Sequence, residues 1–300
     1  MISLDLDLSY LSRYYHIDTK AWQQYRNMSI PEIMQVEAAR GNAKAAEFLM
    51  RITTNPKELA KVYQLVEPKN RFLIIANMNH DDQMKIMEFL KPEELVLGLS
   101  IFTKDALIEL MQLLSPETLS KLVQKTMEPE KFSKSLKEEH MDEFFKSDKL
   151  DRGMFMKSLE NVQELEMQKM MENMTGQPCY DSKDDILKKM NDMNDNQFQR
   201  SIMSFEKEGK QQIVTGLISE KPDLLEEFSQ EALVQPFAQM EKEDILKSLT
   251  VLETDELLPM VSDLPEDVTA LIATQIDPVK FAEILCDDFK DIIAACGVSS

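Results

Sequence analysis

Lys91-Pro92-Glu93-Glu94-Leu95, Thr103-Lys104-Asp105-Ala106-Leu107, Ser115-Pro116-Glu117-Thr118-Leu119 and Glu128-Pro129-Glu130-Lys131-Phe132 are four versions of one signal. Each opens on a polar residue, places Pro or Lys next and an acid after it, and sets an apolar residue four positions beyond the opening one. A polar cap, a proline at the first helical position and negative charge in the first turn are the chemistry of a helix start. The free N–H groups find side-chain oxygens and the acids oppose the helix dipole. Apolar residues then recur at helical spacing, as in Leu107, Leu110 and Met111, or Leu119, Leu122 and Val123. The opening residues step by 12, 12 and 13.

Outward from these four, the ladder begins upstream at Asn55-Pro56, Glu67-Pro68 and Asn79-His80. It continues less cleanly at His140–Phe144, Asp151–Phe155 and Asn161–Leu165. Thr175-Gly176-Gln177-Pro178 breaks the helical pattern with Gly and Pro. Starts resume at Ser182, Asn194, Lys221-Pro222, Ser229, Glu241, Glu253, Leu264-Pro265 and Asp277-Pro278, and the last helix stops at Gly297. The expected fold is all-α, a superhelical, α-solenoid-like array with a period of roughly 12 residues. Helices this short are marginal alone and must pack on their neighbours. Three segments are expected: N-terminal capping helices over 1–54, a first array over 55–175 and a second over 182–297, with the boundary near Gly176. Ser29-Ile30-Pro31-Glu32 starts a longer helix expected to reach about Met50. Trp22, Tyr10, Tyr14, Tyr15 and Tyr25 suit a cap that closes the end of the array, or else a docking segment.

The units resemble two families that build right-handed helical superhelices. One is the cytoplasmic N-terminal domain of MgtE-type magnesium transporters; the other is the middle and C-terminal part of the flagellar motor-switch protein FliG. The stretches closest to them are Leu90 to Thr126 and Leu264-Pro265-Glu266-Asp267-Val268 to Leu285. The resemblance implies a helical superhelix, and with it two further readings: a module responsive to Mg²⁺, or a component of a flagellar-motor-related assembly. No segment reads as a membrane span or a β-rich nucleotide-sensing domain, so a whole transporter is not expected, and no functional residue carries over from either family.

Composition narrows the function classes. The net charge is −20, and the final fifty residues, with two lysines against eleven acids, carry −9. Phosphate binding needs concentrated Lys and Arg, so nucleic acid is not an expected ligand. No basic, then apolar N-terminal stretch reads as a secretory signal. Three cysteines, Cys179, Cys286 and Cys296, form no close-spaced metal or redox pair, which fits reduced thiols in a cytoplasmic setting. His16, His80 and His140 lie far apart, and His80 reads as an exposed first-turn residue. No nucleophile elbow or phosphate loop is present, so the chain is read as a non-enzyme without a cofactor. Acid pairs such as Glu93-Glu94, Asp184-Asp185 and Asp287-Asp288 read first as helix-start chemistry and second as weak Mg²⁺ ligands. The chain is methionine-rich, with 21. The stripe Met167, Met170, Met171, Met174 reads as core filler, with an adaptable partner groove or a copper(I) site as the sharper alternatives.

The leading expectation is therefore a scaffold or adaptor that binds another protein along the array. The acidic C-terminus points to a basic protein partner met by Asp287, Asp288 and Asp291, with Met260, Phe281 and Phe289 as apolar anchors wherever they are exposed.

Overall fold

The computed structural model describes residues 28, 30–40, 42, 44–45, 71–72, 75–76 and 80–274. Among the described residues every regular element is a helix. In chain order these are α1 (Ile30–Ala39), α2 (His80–Glu88), α3 (Pro92–Leu99), α4 (Lys104–Met111), α5 (Pro116–Thr126), α6 (Pro129–Ser135), α7 (Glu138–Phe144), α8 (Arg152–Leu159) and α9 (Glu164–Thr175). There follow α10 (Lys183–Asn191), α11 (Asp195–Met203), α12 (Lys207–Glu220), a 3-10 helix (Pro222–Glu227), α13 (Gln230–Ala238), α14 (Lys242–Leu249), α15 (Thr254–Leu257), α16 (Pro259–Ser262) and α17 (Glu266–Ala273). The chain divides into two compact units: Met1–Ile101 with Glu253–Ser300, and Phe102–Leu252.

Helix starts use the expected chemistry. Side chains of Thr103, Ser115, Ser182, Asn194 and Ser229 each accept from the backbone N–H three residues on. At α3 and α15 the third helical residue reaches back instead: the N–H of Lys91 donates to Glu94 Oε2, and that of Glu253 to Glu256 Oε2, both at 2.8 Å. Acid pairs at helix starts thus satisfy free backbone donors. The helix from Ile30 is shorter than the sequence suggests. It ends at Ala39, and the Asn42 side chain accepts from the Ala45 N–H at 3.2 Å, which restarts the chain as a fresh helix turn.

The arrangement within each unit corrects the expectation of helices stacked only in sequence order. In the Phe102–Leu252 unit, α4 and α5 pack on α13, α5 also on α14 and the 3-10 helix, and α6 on α12 and α13. α7, α8 and α9 all reach α12. An outgoing row of helices is covered by a returning row. Long-range bonds fasten the two: Gln230 Nε2 donates to the carbonyls of Gln112 and Leu114 at 2.6 and 2.7 Å, and Gln239 Nε2 to that of Ser135 at 3.2 Å. In the other unit α2 and α3 pack on α17, α3 also on α15, and Thr254 Oγ1 donates to the Leu90 carbonyl at 2.7 Å. A two-turn helix buries too little against one neighbour, and a second row gives it another face to bury against.

Gly176, read as a boundary in the sequence, lies inside the Phe102–Leu252 unit. Gly176 takes φ 70°, the left-handed conformation glycine tolerates, and its N–H donates to the Glu172 carbonyl at 2.8 Å. It ends a helix inside one unit: α9, before it, packs on α10 and α11, after it. Arg152 secures the same end. Its guanidinium donates to the carbonyls of Met190, Asn191 and Met193 at 2.7 to 2.9 Å and lies 4.6 Å above the ring centroid of Phe198.

A run of rings crosses the core of this unit. Phe132 meets Phe228 edge-on at 5.2 Å, and Phe228 stacks on Phe144 at 4.1 Å. Phe144 touches Phe145, Phe145 meets Phe155 at 5.7 Å, and Phe155 meets Phe198 at 6.2 Å. Phe144 is 1% exposed and touches residues of both rows, so Phe144→Ala is expected to cost about 3–5 kcal/mol in urea unfolding. A loss below about 1 kcal/mol would show that the rings do not hold the rows together.

Candidate functional site

The longest helix among the described residues, α12, was not among the starts legible in the sequence. Its apolar side, Ile213, Val214, Leu217 and Ile218, is buried, and it packs on α6, α7, α8, α9 and the 3-10 helix. Its remaining side is the floor of a groove of about 580 Å³. Glu130, Ser133 and Lys134 of α6 make one wall, and Asn161 and Gln163, between α8 and α9, make the other. The floor presents Glu208, Gln211, Gln212, Thr215, Gly216, Ser219 and Glu220.

Hydrogen bonds fix the floor to both walls. Ser133 and Thr215 share a hydroxyl bond of 2.6 Å, and Gln211 Nε2 donates to the Lys134 carbonyl at 3.3 Å. Across the groove the N–H of Gln163 donates to Gln212 Oε1 at 2.8 Å. These bonds engage one end of each glutamine amide. Gln211 Oε1 and Gln212 Nε2 take no part in these bonds, which leaves the lining one side-chain acceptor and one donor. Lys134, the one basic lining residue, is held by Glu130, whose carboxyl that contact keeps below its ordinary value. Glu220 is held by Lys157 at 2.6 Å, which raises the lysine above its ordinary value. Glu208 is exposed.

On another side of α12, Lys210 is buried, its side chain 4% exposed, with Glu138 Oε1 at 2.6 Å and Asp142 Oδ1 at 2.7 Å. Burial pulls its pKa down, but the contacts with Asp142 and Glu138 outweigh it and the net shift is upward. On the same α7, His140 is buried with neither ring nitrogen hydrogen-bonded, and Glu231 Oε1 stands 3.8 Å from its Nε2. Glu231 is drawn instead to Lys137 at 3.0 Å, which lowers its pKa.

The residues singled out in the sequence lie apart from this groove. Met260 is fully buried in α16, so it does not meet the condition set for an exposed anchor; it faces inward on a four-residue helix that has only one side to pack with. Phe281, Asp287, Asp288, Phe289 and Asp291 lie outside the described residues, as do Cys286, Cys296, Trp22 and the starts at Asn55 and Glu67. Met167, Met170 and Met171 are buried core residues. His80 is the first residue of α2 and half-buried rather than exposed. Cys179 is a free thiol whose Sγ donates to Asp181 Oδ2 at 3.4 Å. Among the described residues no group of three or more His, Cys, Asp and Glu side chains could hold a metal, and no helix is long and apolar enough to cross a membrane.

Neither family models, nor curated proteins, nor solved structures give a match to this chain. The likeness to the two superhelical families therefore rests on the pattern of helix starts.

Lys210→Met leaves two carboxylates facing each other without their cation. It is expected to lower stability by about 1–3 kcal/mol at neutral pH. Because the lysine's folded pKa is raised, the wild-type advantage is complete below lysine's ordinary value of 10.5 and is lost as pH rises through the higher folded value. Urea unfolding of both proteins at several alkaline pH values checks this. A gap that already closes below about pH 9 would contradict it.

Proposed function

We propose that this chain is a protein-binding module that takes an extended segment of a partner protein along α12, without catalysing a reaction. One observation carries the reading: the polar groove, its floor and walls joined by hydrogen bonds and lined mainly by amides and hydroxyls. An extended peptide offers N–H and C=O groups in alternation, and a lining that holds both acceptors and donors suits it. Glu208 and Glu220 lie twelve residues apart on the floor, which at 1.5 Å per residue gives a length of about 18 Å. That is room for roughly five residues of extended chain at about 3.3 Å each. The lining holds no histidine or cysteine, and its lysine is engaged by a carboxylate. Rigid, recessed polar groups fixed from both sides favour recognition, since little side-chain freedom is lost on binding.

The test is a selection of random dodecapeptides displayed on phage against the whole chain. Wild type is expected to enrich peptides that no longer bind Gln212→Arg, whose longer, charged side chain projects from the floor of the groove, and that still bind Lys247→Glu, altered on the exposed surface of α14. No enrichment, or enrichment that survives Gln212→Arg, would overturn the reading.

A further inference from the structure

We infer that the segment bound along α12 anchors itself by one large apolar side chain, inserted into a second cavity at the end of the groove, and carries a Lys or Arg about five residues from that anchor. This rests on the groove reading above and names the chemistry of its partner.

The second cavity has a volume of about 130 Å³ and is walled by Val123, Met127, Phe132, Ile218 and Leu225, with Ser219 at its mouth. Ser219 also lines the groove, so this one residue borders both spaces. The cavity lies where the chain leaves α5 for α6 and where α12 gives way to the 3-10 helix. Pro129 and Pro222 open the following helices there and also line it. Its base belongs to the core, with Phe132 0%, Val123 1%, Ile218 3% and Leu225 3% exposed, and the half-buried Met127, Pro129 and Pro222 give the apolar surface a ligand would meet. A space with such walls is formed before any ligand arrives, and apolar cavities hold water poorly. Its size suits a single leucine, methionine or phenylalanine side chain. A buried apolar anchor beside a polar track is the usual division of labour in a binding site, the pocket giving affinity and the polar groups orientation.

Charge fixes the other end. Glu208 lies eleven residues before Ser219 on α12, about 16 Å along the axis or five residues of extended chain. The groove's single lysine, Lys134, is already paired with Glu130. A cationic side chain at that distance from the anchor meets an exposed acid and no competing free cation of the lining. An acidic side chain meets repulsion there.

The experiment uses the peptides selected on the whole chain, resynthesised with a fluorescent label and titrated by anisotropy. The expected consensus is one Leu, Met or Phe with a Lys or Arg four to six residues away. Replacing that apolar residue with Ala should weaken binding at least tenfold. Ser219→Trp, which blocks the cavity from an exposed position, should do the same, and Gln124→Trp, at the other exposed residue of the cavity lining, provides a second block. Glu208→Lys should select against the basic residue. Peptides that lose binding to Gln212→Arg but not to Ser219→Trp or Gln124→Trp, and that tolerate Ala at the apolar position, would overturn the anchor while leaving the groove reading in place. A selection that enriches nothing on wild type would remove both.

Discussion

The middle of the Phe102–Leu252 unit depends on the burial of α12 against α6, α7, α8, α9 and the 3-10 helix. Most helices of this unit run seven to nine residues, below the length that holds together in water. α12, with fourteen residues, gives α6, α7 and α8 a common surface. The ring run from Phe132 to Phe198 fills the space between the rows, and Lys210 joins α12 to α7 by charge. Because α12 is covered on these sides and open on one, the open side becomes a groove whose floor cannot move without disturbing the core. The site is thus a consequence of how the fold meets its own packing requirement.

The ladder of starts was legible because capping is local chemistry. Ser115 and Thr118 lie three residues apart, and nothing distant is needed for one to accept from the other's N–H. The packing of one row on the other was not legible, because it is set by contacts such as Gln230 with the carbonyls of Gln112 and Leu114, more than a hundred residues away. Gly176 reads as a boundary in the sequence for a related reason. A left-handed glycine ends a helix whether or not a domain ends with it.

The central helix escaped notice because burial on several sides blurs the one-sided stripe that marks a surface helix. Its N-cap, Glu206, makes no side-chain cap bond and no proline follows it. Two signals were nonetheless present: Glu206 lies twelve residues after Asn194, and Ile213, Val214, Leu217 and Ile218 recur at helical spacing. The groove itself had no signature. Gln211, Gln212, Thr215 and Ser219 are ordinary surface residue types, and only the fold gathers them with Ser133 and Asn161. Of the methionine stripe, conspicuous in the sequence, Met167, Met170 and Met171 fill the core instead.

Native-state hydrogen exchange tests the dependence on α12 most directly. The amides of Ile213, Val214, Leu217 and Ile218 should be the last in the Phe102–Leu252 unit to exchange, opening only with the whole unit. If they exchange sooner than the amides of α5 or α14, α12 is not the surface on which the unit is built, and the groove over it has no fixed floor.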